Sequence, residues 1–316
     1  MAGTGDERGN AAQPGALIID ELPELREPII VCAFAGWNDA AQSATGAVRY
    51  LVEQLDAPRF AHIDPEEFYV FTEHRPSVRL AGGSQRELRW PANEFHYVRN
   101  ARLRHDLVLM PGIEPNLHWH AYTTAMLDLA HHVNARMIMM LGGLLADVVH
   151  SAPVRLTGSS TNPELLPNWI DTGVRRSRYE GPTGIVGVLS DVCRRAQMPT
   201  ASIWANVPHY LNVSPNPKTL AALVHRVDRL FDLDLNLAEL DLATERFDAQ
   251  VDEAVSQNAD VRRYIRRLQA AAEEQDEEEE EAQPSASAED LPSASALVQD
   301  LEEFLRRRRE ADTDDD

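Results

Sequence analysis

The sequence predicts an α/β protein whose mostly parallel sheet is covered by helices on both faces, with a helical hairpin toward its C-terminus. Three observations carry this. Short apolar runs without polar alternation, such as Ile29 to Phe34, Asp106 to Met110 and Met137 to Leu141, read as strands buried on both faces. Stretches with apolar residues at helical spacing alternate with them. After Asp232 the strand signals stop, while helical spacing continues.

Residues 1–15 are polar, lack an apolar signal core and read as a disordered N-terminus. The α/β core is expected over 16–235. Ala16 to Asp20 reads as a short edge strand. Pro28 to Asp39, PIIVCAFAGWND, is a buried strand that stops at a glycine. Gly36 allows a tight turn, and Asn38 or Asp39 supplies an acceptor for the free N–H groups of a helix over Ala40 to Leu55. Ala41, Ala44, Val48, Leu51, Val52 and Leu55 share that helix's apolar face.

Arg59 to Ile63 is a second strand. Val78–Leu80, Glu87–Trp90 and Glu94–Val98 are short segments broken by Gly82-Gly83 and Pro91-Ala92-Asn93. That grammar predicts a β excursion inserted in the α/β pattern. The rhythm then returns. A strand from Asp106 ends at Pro111-Gly112, a helix covers Trp119 to Asn134, and a strand from Met137 ends at Gly142-Gly143. Gly181-Pro182-Thr183-Gly184 opens a helix with Ile185, Val188, Leu189, Val192 and Ala196 on one face. A last strand, Thr200 to Ala205, leads to Pro208-His209-Tyr210, and a helix covers Pro217 to Phe231.

Leu240, Ala243, Phe247, Val251 and Ala254 fit one further helix, and Val261, Tyr264, Ile265 and Leu268 a second, giving a helical appendage over 236–270. Residues 271–295 read as an acidic linker, self-repelling over Glu273 to Glu281. Over 296–316, Leu297, Val298, Leu301, Phe304 and Leu305 recur at helical spacing. A short amphipathic helix on a tether is a candidate docking peptide, with Leu297, Leu301, Phe304 and Leu305 as its contacts.

Charge excludes one class of partner. The chain of 316 residues carries −21; residues 271–316, with 18 acids and 4 arginines, account for −14, leaving −7 for the rest. Nucleic acid is not an expected partner, because neutralising phosphates needs a basic patch. No stretch approaches the ~18 apolar residues of a membrane span. The two cysteines, Cys32 and Cys193, sit in apolar segments and read as buried free thiols of a reducing cytoplasm.

Ligands of open α/β sheets collect at the carboxyl ends of the strands. A ligand cleft there would be lined by Gly36, Trp37, Asn38, Asp39, Gly142, Gly143, Gly181, Thr183, Gly184, His209 and Tyr210. For an enzyme, the candidates are Asp39, Asp147 and His209. Asp39 or His209 would serve as general base, and the amides of Gly142-Gly143 or of the helix start at Gly184 would hold an anion. The structural alternative is that Asp39 caps its helix and His209 bonds backbone in a turn. No GxGxxG, P-loop, GxSxG or HExxH motif is present, so no catalytic residue is assigned. His118-x-His120 with Glu114 is too few ligands for a metal site, and no metal or cofactor is expected.

The succession Gly36-Trp37-Asn38-Asp39-Ala40, Glu73-His74-Arg75-Pro76, Pro111-Gly112-Ile113-Glu114-Pro115, Gly142-Gly143, Gly181-Pro182-Thr183-Gly184-Ile185 and Pro208-His209-Tyr210 resembles the proteasome assembly chaperone family, in particular its actinobacterial branch. The resemblance spans about residues 16 to 270. It implies a three-layer fold similar to nucleoside phosphorylases and homo-oligomers, trimers among them. It implies protein partners, with proteasome α subunits as the model, and it supplies no agreed catalytic residues. Some members end in a hydrophobic–tyrosine–any tripeptide that inserts into proteasome pockets. This sequence ends in Asp314-Asp315-Asp316, so that mode is not expected. The expected function is therefore non-catalytic protein binding, and the alternative is a nucleoside-like or acyl ligand or substrate in the strand-end cleft.

Overall fold

The computed structural model describes residues 16–281 apart from 82–84, 100–101, 162–173, 178 and 212. The first candidate segment, 1–15, and the docking residues Leu297, Leu301, Phe304 and Leu305 lie outside them. The strands are β1 (Leu17–Ile19), β2 (Ile29–Ala35), β3 (Arg59–Ile63), β4 (Ser77–Ala81), β5 (Gln85–Arg89), β6 (Asn93–Val98), β7 (Leu107–Ile113), β8 (Met137–Ala146), β9 (Leu156–Ser160), β10 (Val174–Arg176) and β11 (Thr200–Pro208). The described helices are α1 (Ser43–Gln54), α2 (Trp119–His132), α3 (Ile185–Arg195), α4 (Pro217–Phe231), α5 (Ala238–Gln257) and α6 (Ala259–Glu281).

One nine-stranded sheet has the order β1-β3-β6-β7-β2-β8-β11-β9-β10. Its centre, β7-β2-β8-β11, is parallel, and the pairs β1–β3, β3–β6, β6–β7 and β11–β9 are antiparallel. The unbroken apolar run of β2 has a direct cause. Ile29, Val31 and Ala33 enter a core with α1 and α4, while Ile30, Cys32 and Phe34 enter a second core with α2 and α3. Successive side chains leave opposite faces of a strand, so a strand covered on both sides cannot alternate with polar residues. The result is the three-layer arrangement that the sequence predicts.

Several boundaries differ from the sequence reading. The first helix starts at Ser43, after a 3₁₀ turn over Ala40–Gln42 in which Ala41 and Gln42 have φ of 54° and 51°. Pro111-Gly112 does not end β7. Pro111 lies beyond the last β6 pair, His96 with Leu109, so its missing N–H removes no bond on that side. Gly142-Gly143 does not end β8 either; the strand continues to Ala146 beside β11. A Cβ on Gly142 would lie 2.3 Å from the Trp204 ring, and one on Gly143 would lie 2.9 Å from the Ala40 carbonyl. These glycines admit close neighbours rather than make a turn.

The β excursion divides. β6 joins the large sheet, whereas β4 and β5 form a separate two-stranded sheet. Helices α5 and α6 pack a third core, with Phe247, Val251, Val261, Tyr264 and Ile265 against Tyr210, Leu211 and Val213. Helix α6 runs through the first acids to Glu281, where the sequence reading places a linker from 271. Cys32 and Cys193 are buried free thiols. Among the described residues, no helix is long and apolar enough to cross a membrane.

Candidate functional site

The parallel strands deliver their carboxyl ends to one edge, and the turns there are joined by one side chain. Glu114 follows β7 and anchors its own N–H on the Ala35 carbonyl at 2.9 Å. Its Oε1 accepts from Asn38 Nδ2 at 2.7 Å and from the Ile185 N–H at 2.8 Å. Its Oε2 accepts from the Trp37 N–H at 3.3 Å. A carboxylate at the start of α3 takes up free amides and faces the positive end of the helix dipole. The anion site expected at Gly184 is thus filled by the chain itself. Gly184 must lack a side chain, since a Cβ would fall 2.3 Å from Asn38 Nδ2 and 2.5 Å from Glu114 Oε1.

Most remaining polar groups of the first turn are also engaged; the buried Asn38 Oδ1 has no hydrogen-bond partner among the described residues. Asn38 is buried, and its carbonyl accepts from the Gly143 N–H at 2.9 Å. The second expected anion site, at the Gly142-Gly143 amides, is therefore closed at Gly143. Asp39 is buried and reaches past the 3₁₀ turn to α1. It accepts from the Ala44 N–H at 2.7 Å, from the Thr45 N–H at 3.3 Å and from the Thr45 hydroxyl. Burial raises its carboxyl above the usual range, against the lowering effect of these bonds and of Arg49. Gly36, with φ of +133°, makes the turn that brings Asp39 back, and Gly181 has φ of +154°.

Of the three enzyme candidates, the structure brings two together. His209 Nδ1 lies 3.0 Å from Asp147 Oδ1 and 3.2 Å from the Ala146 carbonyl. Its Nε2 lies 2.7 Å from the Tyr264 hydroxyl on α6. Both ring nitrogens are engaged, while the Asp39 carboxylate is committed to α1. Next to this pair, His150 is buried. Its Nδ1 is 2.7 Å from the Tyr210 hydroxyl and its Nε2 is 3.1 Å from Asp252 on α5. Lys218 donates to the His150 carbonyl and, at 2.8 Å, to Asp248. Desolvation pulls the His150 pKa down, against Asp252. This network fastens α5 and α6 to the ends of β8 and β11. The small pocket beside it, between Val149, Asn206, Lys218 and Phe247, is ≈ 20 Å³, room for about one water.

The apolar groups at this edge are left open. Trp37 is 62% exposed and Leu145 60%, and Leu117, Leu144 and Tyr179 are exposed as well. Trp37, Leu117 and Leu144-Leu145 follow or end the adjacent strands β2, β7 and β8. Thr183 is exposed and packs over Gly187. His118 and His120 lie at the start of α2, and the described residues hold no group of three or more His, Cys, Asp or Glu placed for a metal.

Sequence reasoning considered Glu114 only as a metal ligand and did not single out His150, Asp252 or Tyr264. A carboxylate directly after a buried strand was the available signal for Glu114.

The chain is similar to solved structures from actinobacteria. A PAC2 family protein of Streptomyces avermitilis is 37% identical, with a TM-score of 0.69 over 75% of this chain and 99% of that one. A Mycobacterium tuberculosis protein described as a proteasome-assembly chaperone homologue is 35% identical, with a TM-score of 0.66 over the same shares. An archaeal proteasome activator of Pyrococcus furiosus, at 18% identity and a TM-score of 0.58 over 75% of this chain and 97% of that one, shares the fold. No curated protein matches the chain. The PAC2 family model matches residues 33–255, from inside β2 to near the end of α5, and the chain belongs to the PAC2 family.

Proposed function

We propose that this protein is a non-catalytic, protein-binding homo-oligomer of the cytoplasm, akin to proteasome assembly chaperones, and that it meets its partner through the strand-end edge. One observation carries the reading. Glu114, Asn38 Nδ2, the Asn38 carbonyl and Asp39 are turned inward onto one another, Gly143, α3 and α1, while Trp37, Leu117, Leu144 and Leu145 stay open to solvent. A reaction site keeps polar groups free for substrate. A protein-docking site presents apolar and aromatic anchors inside a polar rim. The actinobacterial homologue named for proteasome assembly supports proteasome subunits as the partner class.

The test is co-sedimentation of the full chain with purified proteasome α subunits, beside Trp37→Ser and Leu145→Ser. Binding that both substitutions weaken supports the reading. Absence of a complex, or binding indifferent to both, overturns it.

A second reading keeps a small-molecule site at the same edge. It rests on Asp147, whose side chain is 65% exposed beside His209. Calorimetric titration of the full chain with nucleosides and acyl compounds separates it from the first.

A further inference from the structure

Among the described residues, the two-stranded sheet of β4 and β5 carries an apolar face without cover. Val78 and Leu88 are cross-strand partners; Leu80 and Trp90 lie two residues further on, on the same face. Val78 is 58% exposed, Leu80 63% and Leu88 60%. Trp90 is partly exposed and meets the Phe71 ring edge-on at 4.9 Å. The opposite face holds Ser77, Arg79, Glu87 and Arg89. A lone hairpin is marginal in water, and one with its apolar side outward needs an occupant. An open groove of ≈ 760 Å³ runs beside it, lined by Leu88, Arg89, Trp90 and Pro91 on one side and Asp64 and Glu66 on the other.

We infer that this face is the docking site of the chain's own segment Leu297–Arg309. Three arguments select that occupant. The first is shape: Leu297, Leu301, Phe304 and Leu305 form an apolar stripe at helical spacing, the form that lies in an apolar groove. The second is charge. In a protein of net −21, residues 75–90 hold four arginines and one glutamate. The segment opens with Asp300, Glu302 and Glu303 and closes with Arg306 to Arg309, so its acids match Arg86, the cross-strand partner of Leu80 on the apolar face, and its arginines match Asp64 and Glu66 beside the groove. The third is reach. Residues 282–296 separate the end of α6 from Leu297, a tether of up to about 50 Å when extended. A body of this length has a radius of gyration of about 18 Å. The tether makes the encounter effectively intramolecular, which favours a weak helix over a free competitor. The inference does not depend on the reading of the strand-end edge.

The test uses the full chain with a photoreactive benzophenone residue in place of Leu88, an exposed position. After irradiation, crosslinked peptides are identified by mass spectrometry. The expected crosslinks fall on 297–309 and disappear in the double variant L301D/F304D. Mixing isotope-labelled and unlabelled chains tells a segment of the same chain from that of a second copy; crosslinks within one chain support the docking, and crosslinks only between copies overturn it. Crosslinks to the hairpin of another copy, or none on 297–309, overturn it. Hydrogen exchange gives an independent reading. The amides of Ser77–Arg89 are expected to exchange about tenfold faster in L301D/F304D than in the unaltered chain. Unchanged exchange overturns the inference.

Discussion

Glu114 and Ile185, 71 residues apart in sequence, meet at 2.8 Å, carboxylate to backbone N–H. That contact joins the end of β7 to the start of α3, and the bond from Asn38 Nδ2 to the same oxygen adds the end of β2. The turns after β2 and β7 and before α3 are thus three sides of one junction. Its first task is to hold the strand-end edge in shape.

Removing the junction side chain should cost stability. Glu114→Ala leaves Asn38 Nδ2 and the Ile185 N–H without their acceptor, an expected loss of about 2–4 kcal/mol. Glu114→Gln keeps an acceptor but removes the charge that faces the α3 dipole, an expected loss of about 1 kcal/mol. Urea unfolding of the two variants checks the order.

Glycines of the junction should not tolerate a methyl group. Gly184→Ala puts a carbon against Asn38 and Glu114, and Gly142→Ala puts one into the Trp204 ring. Each is expected to lose about 1–3 kcal/mol, as overpacking does. Thermal unfolding reads the change, and a Gly184→Ala protein should also lose partner binding at the edge before it loses its fold.

Asp39 should behave as a cap held in a costly place. Asp39→Ala is expected to destabilise by about 1–2 kcal/mol through loss of the α1 amide contacts. Burial raises the folded-state pKa above 3.8, so the folded protein holds this proton more tightly than the unfolded chain. The stability contributed by that difference is present below the unfolded value and is lost as pH rises through the raised one. The Asp39→Asn protein should lack this segment of the stability–pH curve.

His150 gives the opposite sign. Its folded-state pKa lies below 6.5, chiefly from burial among Tyr210, Asp252 and Lys218. The unfolded chain therefore binds the proton first, and stability falls as pH drops through about 6.5 and below. His150→Gln should flatten that slope. Hydrogen exchange of α5 should report the loosening before global unfolding, because His150 ties α5 to the strand ends.

Both thiols should be silent in the native protein. Burial pushes Cys193 up to about 11, and Cys32 is fully enclosed with its pKa raised further. Since the thiolate is the reactive form, alkylation at pH 8 should be negligible until denaturant is added, when both react. Rapid native labelling of either cysteine would contradict the packing of α3 on β2.

Much of the fold is legible along the chain. Ile29 to Phe34 reads as a doubly covered strand because burial on both faces forbids polar alternation. Leu223, Val224 and Val227 mark the inner face of α4, and Val251, Val261 and Tyr264 announce the helical pair. The candidate site is legible only in part. Asp39 reads correctly as a helix cap, and His209 does bond the Ala146 carbonyl. Gly142-Gly143 misleads, because a glycine that admits a neighbouring ring looks, in one dimension, like a glycine that turns the chain. Pro111 misleads for a similar reason, since its tolerance depends on where β6 stops.

The sequence by itself determined the α/β class, the order of buried strands and amphipathic helices, the charged C-terminal segment and the run of turns that marks the family. Each of these is local, written in periodicity or composition over a few turns of chain. Tertiary structure alone decided that Glu114 closes the helix start expected to hold an anion, that His209 and His150 fasten α5 and α6, and that Trp37 and Leu145 face solvent. Those outcomes depend on strand order, which brings together residues far apart in sequence, and no local period records which distant acceptor a buried N–H will meet.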